Sequence, residues 1–157
     1  MSEDDLWRLR ADVQKLADIE EIKRLRARYT RWIDTKDWDA LKGELAEDFH
    51  AATEGGTLDG REAFVGSLSQ SLSSATTAHH CHTPEIEITG PDMATGVWAM
   101  QDHVSMTLNG APFSFRGAGH YHDTYVRTGS GWRMASTALK RLSIDPLTSH
   151  PLPTPLP

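Results

Sequence analysis

From residue 98 to residue 108 the chain alternates, with Trp98, Met100, Val104, Met106 and Leu108 on every second position but one. A period of two is the pattern of a half-buried β-strand, because successive side chains point to opposite faces of a sheet. The one interruption is Asp102, in the middle of the apolar series. Stripping an ionised carboxylate of water costs several kcal/mol, so a charge on such a face is either a hydrogen-bonded structural group or part of a polar site inside a cavity. The remainder of the chain favours the cavity.

Extended segments cover residues 79–89, 94–108, 112–128 and 132–144. Asn109-Gly110 is a two-residue hairpin signal and Gly129-Ser130-Gly131 punctuates the next reversal, so the last three segments should form an antiparallel meander. The first half reads differently. Ile19, Ile22, Leu25, Tyr29, Trp32 and Ile33 recur near helical period from Leu16 onward, with Lys23, Arg24, Arg26 and Arg28 expected on other faces of a long amphipathic helix. Asp37 can cap a second helix carrying Trp38, Leu41 and Leu45, and Asp59-Gly60 precedes a third with Phe64, Leu68 and Leu72. Residues 49–57 between them read as a short strand ending in the Gly55-Gly56 turn.

Helices followed by a meander make an α+β order, with three helices packed on one face of a curved, mainly antiparallel sheet. Residues 1–145 are expected to form a single domain, and residues 146–157 a proline-rich tail outside the core. A chain of 157 residues suits one domain, and a net charge of −6 argues against a nucleic-acid partner. No apolar stretch approaches the ~18 residues of a membrane span and the N-terminus is acidic, so the expected location is cytoplasmic, with no membrane partner. The single cysteine, Cys81, cannot form an intrachain disulfide and is expected to pack as a small hydrophobe.

Several polar residues stand where a core would place apolar ones. Tyr29 lies in the apolar series of the first helix, and Asp34 follows near its C-terminal end, where the helix dipole disfavours a carboxylate unless a donor or cation compensates. His79, His80 and His82 crowd the start of a strand; His80 and His82 share one face, and His79 takes the other with Cys81. Arg141 shares parity with Ala135, Thr137 and Leu139 and needs a carboxylate or an anionic ligand if buried. Phe113, Phe115, Gly117, Gly119, Tyr121, Asp123 and Tyr125 share a face, and the two glycines mark either a bulge or space for a ligand. His122 and Asp123 read as strand dressing, with His120 a weaker lining candidate. The spacing His79-x-x-His82 lacks the glutamate of a helical zinc-protease motif, so no metal is expected.

Each residue has a structural alternative: a satisfied core tyrosine, a capping aspartate, exposed histidines, or a buried Asp102–Arg141 pair.

Taken together, residues 18–23, Tyr29 with Asp34, the run from His79 to Ile86, residues 94–98, Asp102, residues 119–125, Gly131-Trp132 and Arg141 resemble the nuclear transport factor 2-like superfamily. Within it they are most similar to the SnoaL-like branch, on the side of the bile-acid 7α-dehydratases, with scytalone dehydratases also alike. The resemblance implies a cone-shaped α+β barrel, cystatin-like, whose sheet and helices enclose a pocket. It implies Tyr29, Asp34, His79, Asp102 and Arg141 as the catalytic set, with His82 nearby. It further implies a homo-oligomer, trimer or dimer, and a small hydrophobic substrate, with no cofactor.

These residues suit a lyase that removes water from a cyclic or carbonyl-bearing substrate. An imidazole titrating near ~6.5 makes His79 the general base, Asp34 orients its ring, and Tyr29 or Asp102 supplies the acid while Arg141 provides positive charge. His82, Trp98, Met100, His120 and Tyr121 are the candidates for lining the substrate pocket. An isomerase or polyketide cyclase would begin with the same proton abstraction; a non-catalytic binding module and an oxygenase small subunit are the other readings of such a fold.

Overall fold

The structure, a computed structural model, describes residues 1–53 and 55–147. Among them are α1 (Glu3–Thr35), α2 (Trp38–Gly43), β1 (Leu45–Thr53), β2 (Gly56–Asp59), α3 (Arg61–Leu72), β3 (Thr76–Gly90), β4 (Met93–Leu108), β5 (Ala111–Thr128) and β6 (Gly131–Leu147). The strands form one sheet in the order β2-β1-β6-β5-β4-β3. Every pairing is antiparallel except β1 with β6, which is parallel. The α+β expectation holds, as an open mixed sheet with edges at β2 and β3 and not a closed barrel.

The core lies between helices and sheet. Ile22, Leu25 and Ile33 of α1, Leu41 of α2, and Phe64 and Val65 of α3 pack with Phe49, Trp98, Tyr125, Trp132 and Met134 of the strands. Polar anchors fix the tilt of α1. The buried Asp18 carboxylate accepts from Trp132 Nε1 at 3.2 Å, Arg127 Nη2 at 2.6 Å and Gln14 Nε2 at 3.0 Å. No helix among the described residues is long and apolar enough to cross a membrane.

Several expectations need correcting. α1 begins at Glu3 and not near Leu16, because Ser2 and Asp5 form a reciprocal capping box that starts the helix early. Arg26 does not turn away from the core; it is 0% exposed. Leu45 belongs to β1, and the single strand expected at residues 49–57 is a hairpin, with Thr53 opposite Gly56. β6 continues through Pro146, opposite Phe115. Its pairing with β1 ends at Ala138, so this stretch of β6 runs along an edge, where a proline is tolerated. The rest of the expected tail, residues 148–157, lies outside the described residues.

Candidate active site

α1 delivers two site residues and then stops. Tyr29 and Ile33 face the sheet, Asp34 ends the last turn, and Lys36 reverses the chain with a left-handed φ of 63°. Asp37 then caps α2, accepting the Ala40 N–H at 3.1 Å. The start of β3 runs past this corner and supplies donors to the Asp34 carboxylate. His79 Nδ1 lies 2.7 Å from Oδ1, the His79 backbone N–H donates to Oδ2 at 2.9 Å, and Thr77 Oγ1 donates to Oδ1 at 2.8 Å. Lys36 Nζ donates to Thr77 Oγ1 at 2.9 Å and extends the chain by one link.

These contacts decide the charge on Asp34. Burial, the largest influence, pushes its carboxyl up, but the hydrogen bonds from the His79 ring and backbone, the nearby imidazole charge and Thr77 together hold it below the usual carboxylate range. A carboxylate on Nδ1 selects the tautomer with the proton there and leaves Nε2 as the free basic nitrogen of a ring that lines the cavity.

Across the sheet, His79 pairs in register with Asp102 on β4, and Asp102 with Gly117 on β5. Arg141 approaches from β6, one strand further on. Its guanidinium is bidentate on Asp102, with Nη1 to Oδ1 at 3.0 Å and Nη2 to Oδ2 at 2.6 Å. Gly117 makes this possible, because a Cβ there would run into both Arg141 Nη1 and Asp102 Oδ1. Gly119 has a different task. It faces Arg141 at a register shift, and a Cβ would strike the backbone carbonyl of Lys140. One glycine makes room for the ion pair and the other for the bulge.

The direction of Arg141 depends on two irregularities in β6. Met134 opposes Tyr125 and Ser136 opposes Thr124, which leaves Ala135 extra; Arg141 opposes Gly119 and Ser143 opposes Ala118, which leaves Leu142 extra. Trp132 and Met134 point inward before the first bulge, and Thr137, Leu139 and Arg141 after it. Inward parity therefore switches from even to odd positions at Ala135, contrary to strict alternation.

A second buried charge lies behind the cavity wall. Arg26 Nη1 is 3.3 Å from Asp123 Oδ2 with both side chains fully buried. Its guanidinium sits 4.5 Å from the Tyr29 ring centre and 3.9 Å from that of Tyr121. Asp123 also accepts from Tyr125 Oη at 2.7 Å and Thr137 Oγ1 at 2.6 Å. Among the described residues, Arg26 Nε and Nη2 have no hydrogen-bond partner. Burial drives the Tyr29 and Tyr121 hydroxyls above the usual phenol range against the opposing pull of Arg26, so both rings keep their protons at neutral pH.

The cavity itself measures about 220 Å³. Ile33, Phe64, Leu68, Val104 and Phe115 give it an apolar wall, and Tyr29, His79, Asp102, Tyr121 and Arg141 a polar one. Four of the five expected catalytic residues line it, and Asp34 stands behind His79. Of the expected pocket-lining residues only Tyr121 does so. Trp98 and Met100 are core residues beneath the floor, Trp98 Nε1 donating to Tyr125 Oη at 2.9 Å. His82 stacks on His80 at 6.2 Å, on the face of β3 opposite His79. His120 lies on the face of β5 opposite Tyr121, paired with Ala99 and Lys140. These four do not touch the cavity space.

Thr77, Lys36 and the Arg26–Asp123 pair were not anticipated. Asp123 shares parity with Tyr121 and Tyr125, and Arg26 lies one helical turn before Tyr29, so both inward positions were present in the spacing. No spacing rule connects Lys36 with Thr77.

Fold and site together define a small α+β sheet protein that wraps helices around an apolar cavity with an acid–base wall. The chain belongs to the family of the SnoaL-like domain, which matches residues 14–138. A Gibberella zeae protein named Probable cyclase FGR4 is 25% identical over 133 residues, covering 77% of this chain and 89% of the relative. Among solved structures, a hexachlorocyclohexane dehydrochlorinase of type 2 superposes with a TM-score of 0.82 at 20% identity, covering 92% of this chain and 98% of the other. An NTF2-like protein with a cystatin-like fold from Novosphingobium aromaticivorans gives a TM-score of 0.73 at 29% identity, over 90% and 92% of the two chains.

Proposed function

We propose that this chain is an enzyme that converts a small, largely apolar molecule by acid–base elimination, with His79 as the base. The observation that carries the reading is the imidazole on the cavity wall, tied at Nδ1 to a carboxylate held in its charged form and set beside a bidentate Asp102–Arg141 pair. A cyclase and a dehydrochlorinase among the similar proteins are both named for transformations of small molecules, which supports the same class.

In the dehydration reading, His79 Nε2 takes a proton from a carbon made acidic by a neighbouring carbonyl. The C–H electron pair becomes the new C=C bond as the C–O bond breaks, and the departing hydroxide recovers the proton from the imidazolium and leaves as water. Asp34 stabilises the imidazolium while it lasts. Tyr29, kept protonated by burial, donates a hydrogen bond to the oxygen that gains charge. Arg141 adds positive charge, and a preorganised donor of this kind contributes about 3 kcal/mol. Both Asp102 oxygens accept from Arg141, so Asp102 holds the cation in place and Tyr29 is the donor. A cyclase would use the same first step, and the similarity to the fungal protein favours it as the second reading.

Turnover of a panel of β-hydroxy ketones, hydroxysteroid thioesters and hydroxylated polyketide-like aromatics, read as mass loss of water, tests the proposal. The wild type loses water from at least one member, and His79→Ala slows this by about 10²- to 10⁴-fold with ligand binding retained. Equal binding by both proteins and turnover by neither would sink it; conversion without loss of water would move the cyclase reading ahead.

A further inference from the structure

α1 carries two apolar stripes, and the fold uses only one. From Asp18 onward, Ile22, Leu25, Tyr29 and Ile33 face the sheet and are buried, whereas residues 1–17 are exposed throughout. Within this free part Leu6, Leu9, Val13 and Leu16 recur at alternating steps of three and four, and the last three are more than half exposed. That spacing is a two-heptad seam. At 100° per residue the seam lies on roughly the opposite side of the helix from the buried stripe, so it is no overrun of the protein's own core. The next seam position is Glu20, so the seam ends where the helix meets the sheet.

We infer that residues 3–17 pair in parallel with the same segment of a second copy of this chain through Leu6, Leu9, Val13 and Leu16. Charge chooses the partner and the direction. In a parallel pair, Asp5 of each copy sits beside Arg10 of the other, opposite charges brought together twice by symmetry. In an antiparallel pair, Asp12 would face Asp12 and Arg10 would face Arg10. The free part is about 22 Å long at 1.5 Å per residue and its seam points away from the body, so two bodies fit without collision on the outer sides of the pair. Two heptads hold weakly, and the pairing is concentration-dependent. It is independent of the chemistry of the cavity.

Sedimentation equilibrium of the full chain over a hundredfold concentration range, beside Leu9→Glu/Val13→Glu, tests it. The expected result is a variant with half the mass of the wild type at the top of the range and an unchanged melting transition of the body. Equal masses for the two proteins, whatever their value, overturn the inference, as does wild-type binding to lipid vesicles without self-association. A second variant fixes the direction. In a Cys81→Ala background, Leu9→Cys forms a disulfide with the same residue of another copy if the helices are parallel. Failure to cross-link, with Leu9→Cys/Val13→Cys cross-linking instead, overturns the parallel arrangement. Arg10→Asp should shift the association midpoint to at least severalfold higher concentration, and no shift would remove charge as the determinant.

Discussion

Arg141 reaches Asp102 across the backbone of a strand that lies between them, and the crossing point is Gly117. Adjacent strands are about 4.8 Å apart, so the pair spans roughly two strand spacings. Only a side chain as long as arginine covers that distance, and only a glycine leaves it room to do so.

Gly117→Ala should therefore break a largely buried ion pair without touching either partner. The expected cost is about 3–5 kcal/mol in urea denaturation, because Asp102, 3% exposed at its side chain, is left in the wall without its cation. Turnover should fall at least tenfold. A variant as stable and as active as the wild type would show that the pair is dispensable.

Asp34→Asn removes the charge that holds the imidazole. Turnover should drop by up to about 10⁴-fold with substrate binding little changed, since the ring loses its tautomer and orientation and not its place. The lowered Asp34 carboxyl also gives a pH signature. A group held below its unfolded value near ~3.9 contributes stability above that value and loses it as pH falls through the lower folded value. Denaturation of wild type and variant from about pH 7 downward should show a stability gap that closes on the acid side of ~4. A gap constant with pH would contradict the assignment.

Much of this site was legible from residue spacing. Asp102 stood out because it interrupts a period of two, and Arg141 because it shares parity with Thr137 and Leu139; their pairing needed only the two faces to coincide. The order of helices and meander could be read from turn residues and periodicity, whereas the hairpin at residues 45–59 read as a single strand. Other features were hidden for physical reasons. A bulge shifts parity without a sequence marker, so a single alternation cannot carry both Met134 and Thr137 inward. His82, Trp98, Met100 and His120 looked like cavity residues because a sequence shows that a side chain is apolar or polar but not how deep it lies. Arg26 was set outside because arginine is rarely buried unless paired, and its partner Asp123 lies on a distant strand.

That second pair makes its own prediction. Asp123→Ala should destabilise the chain by about 3–5 kcal/mol, because the Arg26 guanidinium then lacks a counter-charge in the core. Replacing both partners, as Arg26→Met/Asp123→Leu, should recover much of the loss. Chemical denaturation of the single and double variants measures the coupling, and additive costs would argue against a direct pair.

Trp132→Phe tests the anchor of α1. The indole N–H donates to the buried Asp18 carboxylate, and losing a hydrogen bond to a charged group costs about 1.5–3 kcal/mol. Arg127 and Gln14 still hold Asp18, so the fold should survive with ligand binding at the cavity unchanged. A large loss of binding would show that the tilt of α1 sets the cavity shape.

The two bulges of β6 enclose Arg141 and the inward residues before it. Deleting Ala135 or Leu142 would remove a bulge and leave the flanking residues opposite their present partners, so Thr137, Leu139 and Arg141 would still point inward; deleting a residue between the bulges, such as Ala138, would instead turn Leu139 and Arg141 outward together. Between its bulges this strand should resist length change in a way its composition does not reveal. Its evolution is constrained by counting as well as by chemistry: point substitutions can be explored one at a time, but a single-residue insertion or deletion between the bulges inverts the strand unless a second one restores the frame.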